Sequence, residues 1–549
     1  LDGLQDATVE GFRQSLFILS GAIVKVLLIA CSNVASLMMA RGTTRRGEMA
    51  LRAALGAGRT RLTRQLLVEC SILALAAGAL GILLAVWLQD LILGFVAMDT
   101  LGLEDAGLSS SMLTIALGLS LATILIFGLF PSLSTARANP AEDLREGSRG
   151  SAAKGGIKIR SGLVVLQVAL SLVLLVGSGL LLKSFARLRG VDPGFRVENV
   201  FTAAVALPND GYATPEEGLQ FFDGLKESIL GLPGVESVAM VTRLPILQTG
   251  GNVAIWAPER PPETNNDAPW ADRRIVLPGY FEAMEIPLLD GRAFARSDLA
   301  ESPPVIILSN RTAEVTFPDE RAVGRQVAVD IGGDEPGLFE VVGVVEDHQT
   351  SSLSGTPRPA MFFPYAQMQA RTLRLAVAMD NDPLSLFRPI QERIWERDEN
   401  IVLSEVQTLE DAIADSISGS RSMATVMAMF AFVAIALAGL GLYGVLAYFV
   451  TRRVHEIGIR VALGAPGKKV LGLVIGRGMI LVGVGSMLGI LASLGAARMV
   501  EGMLFQIEAT DPATYTLVTA FFLILALTAC ILPARRALKV DPVDAFRAE

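Results

Sequence analysis

Seven long apolar stretches punctuate the chain, at about 16–39, 67–88, 112–130, 162–182, 424–450, 471–497 and 514–533. Each is long enough to cross a bilayer as a helix. Between the fourth and the fifth, over about 190–421, the pattern changes to short runs. Val200–Leu207 and Val235–Leu244 read as strands, with a helix at Pro215–Leu230 between them. Leu373–Met379 and Ile401–Val406 read as strands around a helix at Pro383–Arg397. Two β-α-β halves predict a split sheet with helices on one face. The middle, about 270–365, is richer in Pro, Gly and β-branched residues and reads as a mostly-β insert. The predicted fold is an α-helical membrane protein of about seven transmembrane helices with an α+β extracytoplasmic domain.

The connections between spans alternate in charge. Arg41 to Arg64 holds seven arginines and one acid, whereas Gln89 to Ser111 holds four acids and no Lys or Arg. Ser132 to Arg160 is basic (Arg137, Arg145, Arg149, Lys154, Lys158, Arg160), as is Thr451 to Lys469. Arg498 to Asp511 is acidic on balance, and the tail carries Arg535, Arg536 and Lys539. The positive-inside rule puts the basic loops and the C-terminus in the cytoplasm, and the N-terminus and the 190–421 segment outside.

The cytoplasmic side contains one motif twice. Arg45-Arg46 precedes Glu48-Met49-Ala50-Leu51-Arg52-Ala53-Ala54-Leu55-Gly56-Ala57, and Arg452-Arg453 precedes Glu456-Ile457-Gly458-Ile459-Arg460-Val461-Ala462-Leu463-Gly464-Ala465. Glu four residues before Arg is the favourable ion-pair order on a helix, and the Gly after Leu is a helix stop. Each copy predicts a short amphipathic helix at the membrane surface. A plain basic interfacial loop is the simpler alternative, but topology alone needs only the positive charges. The duplication extends further: Pro131 and Pro140 follow the third span, with Arg145 beyond, as Pro533 and Pro542 follow the last, with Arg547 beyond.

Composition agrees. Hydrophobic residues make up 51% of the 549 and mean hydropathy is +0.49, too apolar for a soluble enzyme of this size. The net charge of −8 divides into −19 for residues 191–420 and +11 for the rest, an acidic outer domain on a basic membrane part. No nucleic-acid footprint is present. Cys31, Cys70 and Cys530 lie in or beside apolar runs, so the outer domain has no disulfide framework. His348 and His455 lack metal-ligand spacing, and His348 reads as a surface loop residue.

No GxxxxGK[ST], GxSxG or HExxH occurs; Gly467-Lys468 is followed by Lys469 and lacks the upstream Gly. Gly439, Gly441 and Gly444 form a GxGxxG, but inside an apolar span, where small residues serve close helix packing. Gly485-x3-Gly489 and Ala77-x3-Gly81 belong to the same class. Lys25, near the middle of the first span, is a candidate by its charge, against the plainer readings of a snorkelling or internally paired lysine. Glu69 and Arg477 occupy equivalent repeat positions with opposite signs, suited to a cross-repeat pair or to separate headgroup contacts. Trp87 and Tyr515 suit an aromatic belt.

The order span, Arg-Arg…Glu-x-x-x-Arg-x-Ala-Leu-Gly-Ala, span, loop, span resembles the FtsX-type permease module of the macrolide-exporter (MacB-like) superfamily of ABC transporters. The outer domain resembles that family's periplasmic core domain. Val191-Asp192-Pro193-Gly194-Phe195, Asp272-Arg273-Arg274-Ile275-Val276-Leu277-Pro278-Gly279-Tyr280-Phe281, Val341-Val342-Gly343-Val344-Val345 and Pro357-Arg358-Pro359 carry the match. Two modules in one chain resemble the duplicated permeases best known from acidobacteria.

The resemblance implies a bacterial inner-membrane permease without a catalytic site or cofactor, ATP being bound by a separate cytoplasmic ATPase. Its docking contacts would be Glu48, Arg52, Leu55, Gly56 and Ala57 with Glu456, Arg460, Leu463, Gly464 and Ala465. Motion would pass to the periplasm for export of a drug, peptide or lipoprotein class of substrate. A membrane-fusion protein or an outer-membrane channel would be a further partner. A non-transporting regulator of a cell-wall hydrolase, as FtsX-type proteins are thought to be, is the rival from another class. The expected layout is a remnant of a first outer domain (1–15), a first permease module (16–133), a cytoplasmic linker (134–160), a span and stalk (161–189), the periplasmic core domain (190–421) and a second module (422–549). A module of four spans appears here as three and then four, which, with Leu1 in place of Met, implies an N-terminal truncation. Whether one doubled chain replaces a permease dimer stays open.

Overall fold

The computed structural model describes residues 2–44, 152–208, 211–212, 214–248, 250–264, 267–332, 335–452 and 466–538, with scattered helical positions between 61 and 118. It divides into two compact units, Leu1–Arg187 with Ser420–Glu549, and Leu188–Gly419. Helices α1 (Asp2–Thr44) and α2 (Ala152–Arg189) come first.

The outer unit then runs β1 (Val200–Ala206), α3 (Pro215–Leu230), β2 (Val235–Val241), β3 (Asn252–Trp256), β4 (Trp270–Val276), α4 (Tyr280–Ala283), β5 (Leu288–Gly291), β6 (Val305–Ser309), α5 (Asn310–Thr316), β7 (Gln326–Val329), β8 (Gly337–Val345), β9 (Ala360–Pro364), β10 (Thr372–Met379), α6 (Phe387–Trp395), β11 (Ser404–Thr408) and α7 (Leu409–Ser416). β10 lies between β1 and β2 and is antiparallel to both; β1 lies between β10 and β11 and is antiparallel to both. This order, β11-β1-β10-β2, interleaves two split β-α-β units. The β1–β10 register runs unbroken from Val200↔Ala378 to Ala206↔Thr372.

The sequence makes α3 helical by its ends and its stripe. Thr214 caps it in a reciprocal capping box with Glu217, and Pro215 opens the first turn. Phe221, Phe222, Leu225 and Ile229 form one buried face. Burying each of the three innermost contributes about 2 kcal/mol.

The middle strands close on themselves. β4 pairs β3, β3 pairs β7, β7 pairs β8, β8 pairs β6, β6 pairs β9, and β9 returns to β4 in parallel. One bridge, Val241↔Val276, joins this ring to the open sheet. The ring takes in β3, ahead of the 270–365 expected for the insert, because β3 finds its partners in β4 and β7. One continuous core serves sheet and ring, from Phe201 and Phe222 to Val327 and Phe363. β11 is the outer strand of the open sheet. Its register with β1 shifts between Thr202 and Ala204, and Glu405 sits there with φ of 52°.

The chain ends in α8 (Ser418–Arg452), α9 (Gly467–Val500) and α10 (Pro512–Leu538). Among the described residues five helical segments are long and apolar enough to span a membrane: Arg13–Met38, Ile159–Arg189, Ser418–Val450, Val474–Met503 and Pro512–Ile531. Leu75–Val86 is a shorter apolar helix within the expected 67–88 span. The rest of that span and nearly all of 112–130 lie outside the described residues, so the expected seven spans and the match between the two three-span bundles extend beyond them. The α2 span is 67% buried, against 22–33% for the other four described spans, which makes it the most enclosed of the five.

Candidate functional site

All ten expected docking residues, Glu48, Arg52, Leu55, Gly56, Ala57, Glu456, Arg460, Leu463, Gly464 and Ala465, lie outside the described residues. The helices that lead to them are described. α1 ends at Thr44 and α8 at Arg452, each four residues before its glutamate, and α9 begins two residues after Ala465.

Within the bundle, glycines decide how close the helices come. A Cβ on Gly485 would lie 2.6 Å from Val168 Cγ1 and 2.9 Å from the Val165 carbonyl oxygen. A Cβ on Gly489 would lie 2.9 Å from Leu172 Cβ. The Gly485-x3-Gly489 stripe of α9 thus receives α2 directly. We expect Gly485→Leu to lower the unfolding temperature of the purified protein, since forced overpacking costs about 1–3 kcal/mol. Gly495→Leu, where an added Cβ meets open space, should leave it unchanged.

The expected Gly439, Gly441 and Gly444 cluster divides. Gly441 faces the side-chain amides of Asn33 (α1) and Gln167 (α2), which a Cβ would strike, whereas Gly444 meets no described neighbour. Gly439 lines an apolar crevice of about 370 Å³ with Val168, Val482 and Phe522. Asn33 Nδ2 donates to the Leu437 carbonyl at 2.8 Å, Gln167 Nε2 donates to the same oxygen, and Ser171 Oγ donates to the Ala434 carbonyl at 3.2 Å. Polar side chains of α1 and α2 therefore bond the backbone of α8 in the apolar interior. Periodicity marks these positions only as interruptions of an apolar run, so the sequence reading missed them.

At its other end α2 is tied to the loop between α9 and α10. Lys183 Nζ contacts Asp511 Oδ2 at 2.6 Å, Ser184 Oγ accepts from Phe505 N at 2.8 Å, and the Arg187 guanidinium donates to the Gln506 carbonyl. The Lys183 hydrogen bond, then those of Thr514, hold the Asp511 carboxyl down at about 2. A depressed carboxyl stabilises the fold above its ordinary value of 3.8, and the contribution is lost as pH falls from there toward 2. Partial exposure keeps such a pair to at most about 1 kcal/mol.

Lys25 is half-buried and lines a small cavity of about 80 Å³ with Gly21, Met427 and Ser493. Arg477 stacks over the Phe449 ring at 4.7 Å, while Glu69, its suggested partner, lies outside the described residues. Tyr515 packs half-buried against the α2 cluster, and Trp87 lies outside the described residues.

In the outer unit a buried polar cluster forms around Arg274, whose side chain is fully enclosed. Asp272 and Arg274 stand two residues apart on β4 and so share a face. Asp272 Oδ2 accepts from Arg274 Nε at 3.1 Å and from Nη2 at 2.8 Å. The remaining guanidinium donors reach the Arg243 carbonyl at 2.7 Å and the Thr350 carbonyl at 2.8 Å. His348 is 2% exposed, between the rings of Phe195 and Phe362. The surface-loop expectation for His348 is thus corrected. Its polar neighbours Glu346 and Asp347 suggest exposure, but the burying rings come from strand and linker far away in sequence. Burial, then the Arg274 charge, pushes the His348 imidazole down to about 4, and burial pushes the Tyr280 phenol up to about 12.

The separated family stretches converge here. Gln349 N donates to the Pro193 carbonyl at 2.9 Å, and Asp272 N donates to the Pro359 carbonyl at 2.8 Å. Gly194, at φ of 79°, leaves only 3.1 Å between a Cβ and that of His348. Gly343 of β8 passes so close to the Arg292 carbonyl that a side chain would collide. The stretches around Pro193 and Pro359 thus meet the β4 and His348 centre, while Gly343 serves a separate close approach to Arg292.

A family model described as a MacB-like periplasmic core domain matches residues 161–385, and one described as an FtsX-like permease C-terminal matches 20–140 and again 428–542. A macrolide export ATP-binding/permease protein MacB of Marinobacter nauticus is 25% identical over 278 residues, 49% of this chain and 42% of that protein. A second, of Paracoccus denitrificans, is 28% identical over 286 residues, 49% of this chain and 40% of that protein. The chain therefore spans less than half the length of these relatives. The solved periplasmic region of MacB from Actinobacillus actinomycetemcomitans aligns over 43% of this chain and 97% of that one, at 16% identity and a TM-score of 0.28. The two family models between them take in both permease repeats and the outer unit, and the chain belongs to the MacB/FtsX-like ABC transporter permeases, multi-pass inner-membrane proteins with a periplasmic core domain.

Proposed function

We propose that this chain is the moving membrane subunit of an exporter. It takes ATP-driven motion from a separate cytoplasmic ATPase at the two Glu-x-x-x-Arg segments and passes it to the periplasmic domain. The observation that carries this reading is the course of α2. It is the most enclosed of the five described spans, hydrogen-bonded to α8 within the bundle and tied to the α9–α10 loop by Lys183, Ser184 and Arg187. The residues that follow it, Val191 to Phe195, are bonded into the Arg274 cluster of the outer unit. The segment that continues α2 is thus packed into the outer unit itself. This sequence has no phosphate-binding loop, so the energy must come from another polypeptide or another part of the protein. The relatives are named for macrolide export, and a drug, peptide or lipoprotein substrate follows by extension. Co-purification of the full-length gene product tests this. Recovery of an ATP-hydrolysing subunit with a membrane-fusion or outer-membrane channel protein is the expected result. Recovery of a cell-wall hydrolase without export components would overturn export in favour of regulation.

A further inference from the structure

The enclosed centre around Arg274 holds more polar atoms than its hydrogen bonds use. Asp272 Oδ2 is taken by the guanidinium, but Asp272 Oδ1 has no hydrogen-bond partner among the described residues. The same is true of Tyr280 Oη, His348 Nε2 and Thr350 Oγ1. The four residues are only 1–4% exposed, so bulk solvent does not serve them. Arg274 gathers them. Its Nη2 bonds both Asp272 Oδ2 and the Thr350 carbonyl, and its charge bears on the Tyr280 phenol and the His348 imidazole alike. The Tyr280 and His348 rings also share a neighbour, Phe362, at 6.2 Å and 5.9 Å between centroids. Buried polar atoms are nearly always paired, with protein or with ordered water, and an unmade bond at such a place is costly.

The chemistry of the four atoms selects what can sit among them. His348 Nδ1 lies 3.3 Å from the Glu346 carbonyl oxygen, which can only accept. Nδ1 therefore carries the proton of the neutral ring, and Nε2 is an acceptor. Asp272 Oδ1 is an acceptor too, whereas the Tyr280 and Thr350 hydroxyls can each donate. A cation is opposed by the enclosed Arg274 guanidinium, and an anion by the Asp272 carboxylate. Two acceptors and two donors are the complement of one water molecule, with two protons and two lone pairs. We propose that the outer unit is built around a resident water that donates to Asp272 Oδ1 and His348 Nε2 and accepts from Tyr280 Oη and Thr350 Oγ1. This water joins β4, the first residue of α4 and the 348–350 loop in one network. Through His348, which packs on Phe195, and Gln349, which bonds Pro193, the network extends to the segment that follows α2.

X-ray footprinting of the full-length protein tests the site, because radiolysis of a bound water oxidises the side chains beside it. Tyr365 is the control: it is 3% exposed, and its hydroxyl donates to the Ala370 carbonyl at 3.0 Å. Tyr280 should be oxidised several-fold faster than Tyr365 although it is the less exposed of the two, at 1%. Equal rates, or a slower Tyr280, overturn the proposal. This measurement uses the wild-type chain, so it stands even where a variant fails to fold. A double-mutant cycle read by unfolding temperature is the second test. Tyr280→Phe and Thr350→Val each remove one hydroxyl with little change of shape, and the two hydroxyls do not bond each other. One shared water makes their effects non-additive, and the double variant should lose clearly less than the sum of the two single losses. Losses that add overturn the shared water.

Discussion

Replacing Leu55 and Leu463 by aspartate should abolish recovery of the ATPase with the full-length protein while leaving its membrane insertion intact. The sequence repeats an apolar edge, Leu51 and Leu55 in one copy, Ile459 and Leu463 in the other, beside charges one turn apart. An apolar edge with fixed charges next to it is the chemistry of a docking surface, and a carboxylate placed there costs several kcal/mol on burial. At about 1.4 kcal/mol per factor of ten, that is a loss of affinity of two orders of magnitude or more. Each single substitution should retain partial binding, because the other segment can still dock. Insertion is unaffected because neither leucine lies in a span. Pull-down of the tagged double variant is the measurement, and undiminished ATPase recovery would remove the docking assignment from both segments.

The second large effect is expected in the outer unit. Asp272→Ala leaves the Arg274 guanidinium enclosed without its counter-charge, and breaking a buried pair in this way costs about 3–5 kcal/mol. Hydrogen exchange in the full-length protein should show β4 and the 348–350 loop losing protection first. Arg274→Met added to Asp272→Ala should recover part of the loss, since the uncompensated charge is then gone; the Arg243 and Thr350 carbonyls still lack their donor. A double variant no better than the single one would mean that the two carbonyl bonds, and not the charge pair, hold the cluster. The same centre predicts a pH response. His348 is held neutral with its folded value at about 4 against an ordinary 6.5, so its contribution is complete above 6.5 and is lost as pH falls toward 4. The difference corresponds to about 3 kcal/mol. Protection factors of β4, taken relative to intrinsic exchange at each pH, should fall as pH drops through that window in the wild type and stay flatter in His348→Phe.

What could be read from the residues follows from the range over which each signal acts. The helix at Pro215–Leu230 is found at the residues predicted, because capping box, first-turn proline and apolar stripe all lie inside it. β1, β2 and β10 are close to expectation, since a strand buried in a sheet announces itself by its own apolar run. β11 starts at Ser404 and not at Ile401, where a polar edge strand gives little pattern to read. Ring closure could not be read. It depends on β4 and β9 pairing in parallel although Asp272 and its partner Ala360 lie far apart in the chain, and neither strand carries a mark of the other. His348 shows the same limit for a single residue. Five of the seven expected membrane spans are found among the described residues, but which of the five would be most enclosed was not legible. The bonds of Gln167 and Ser171 in α2 depend on a helix more than two hundred residues away.

The shifted register at Glu405 bears on how the outer unit lives in company. Among the described strands β11 pairs only β1 and β5 pairs only β8, so each keeps a side open to further pairing. A regular edge of that kind would be a template for strand addition by unfolded chains or by neighbouring copies. Here the backbone turns out of register after one pairing run, and the Glu405 carboxylate is held across the sheet by Arg374 at 3.0 Å. An incoming strand would meet a misaligned row of amides and a charge it cannot bury. The distortion at Glu405 thus guards this edge against strand addition.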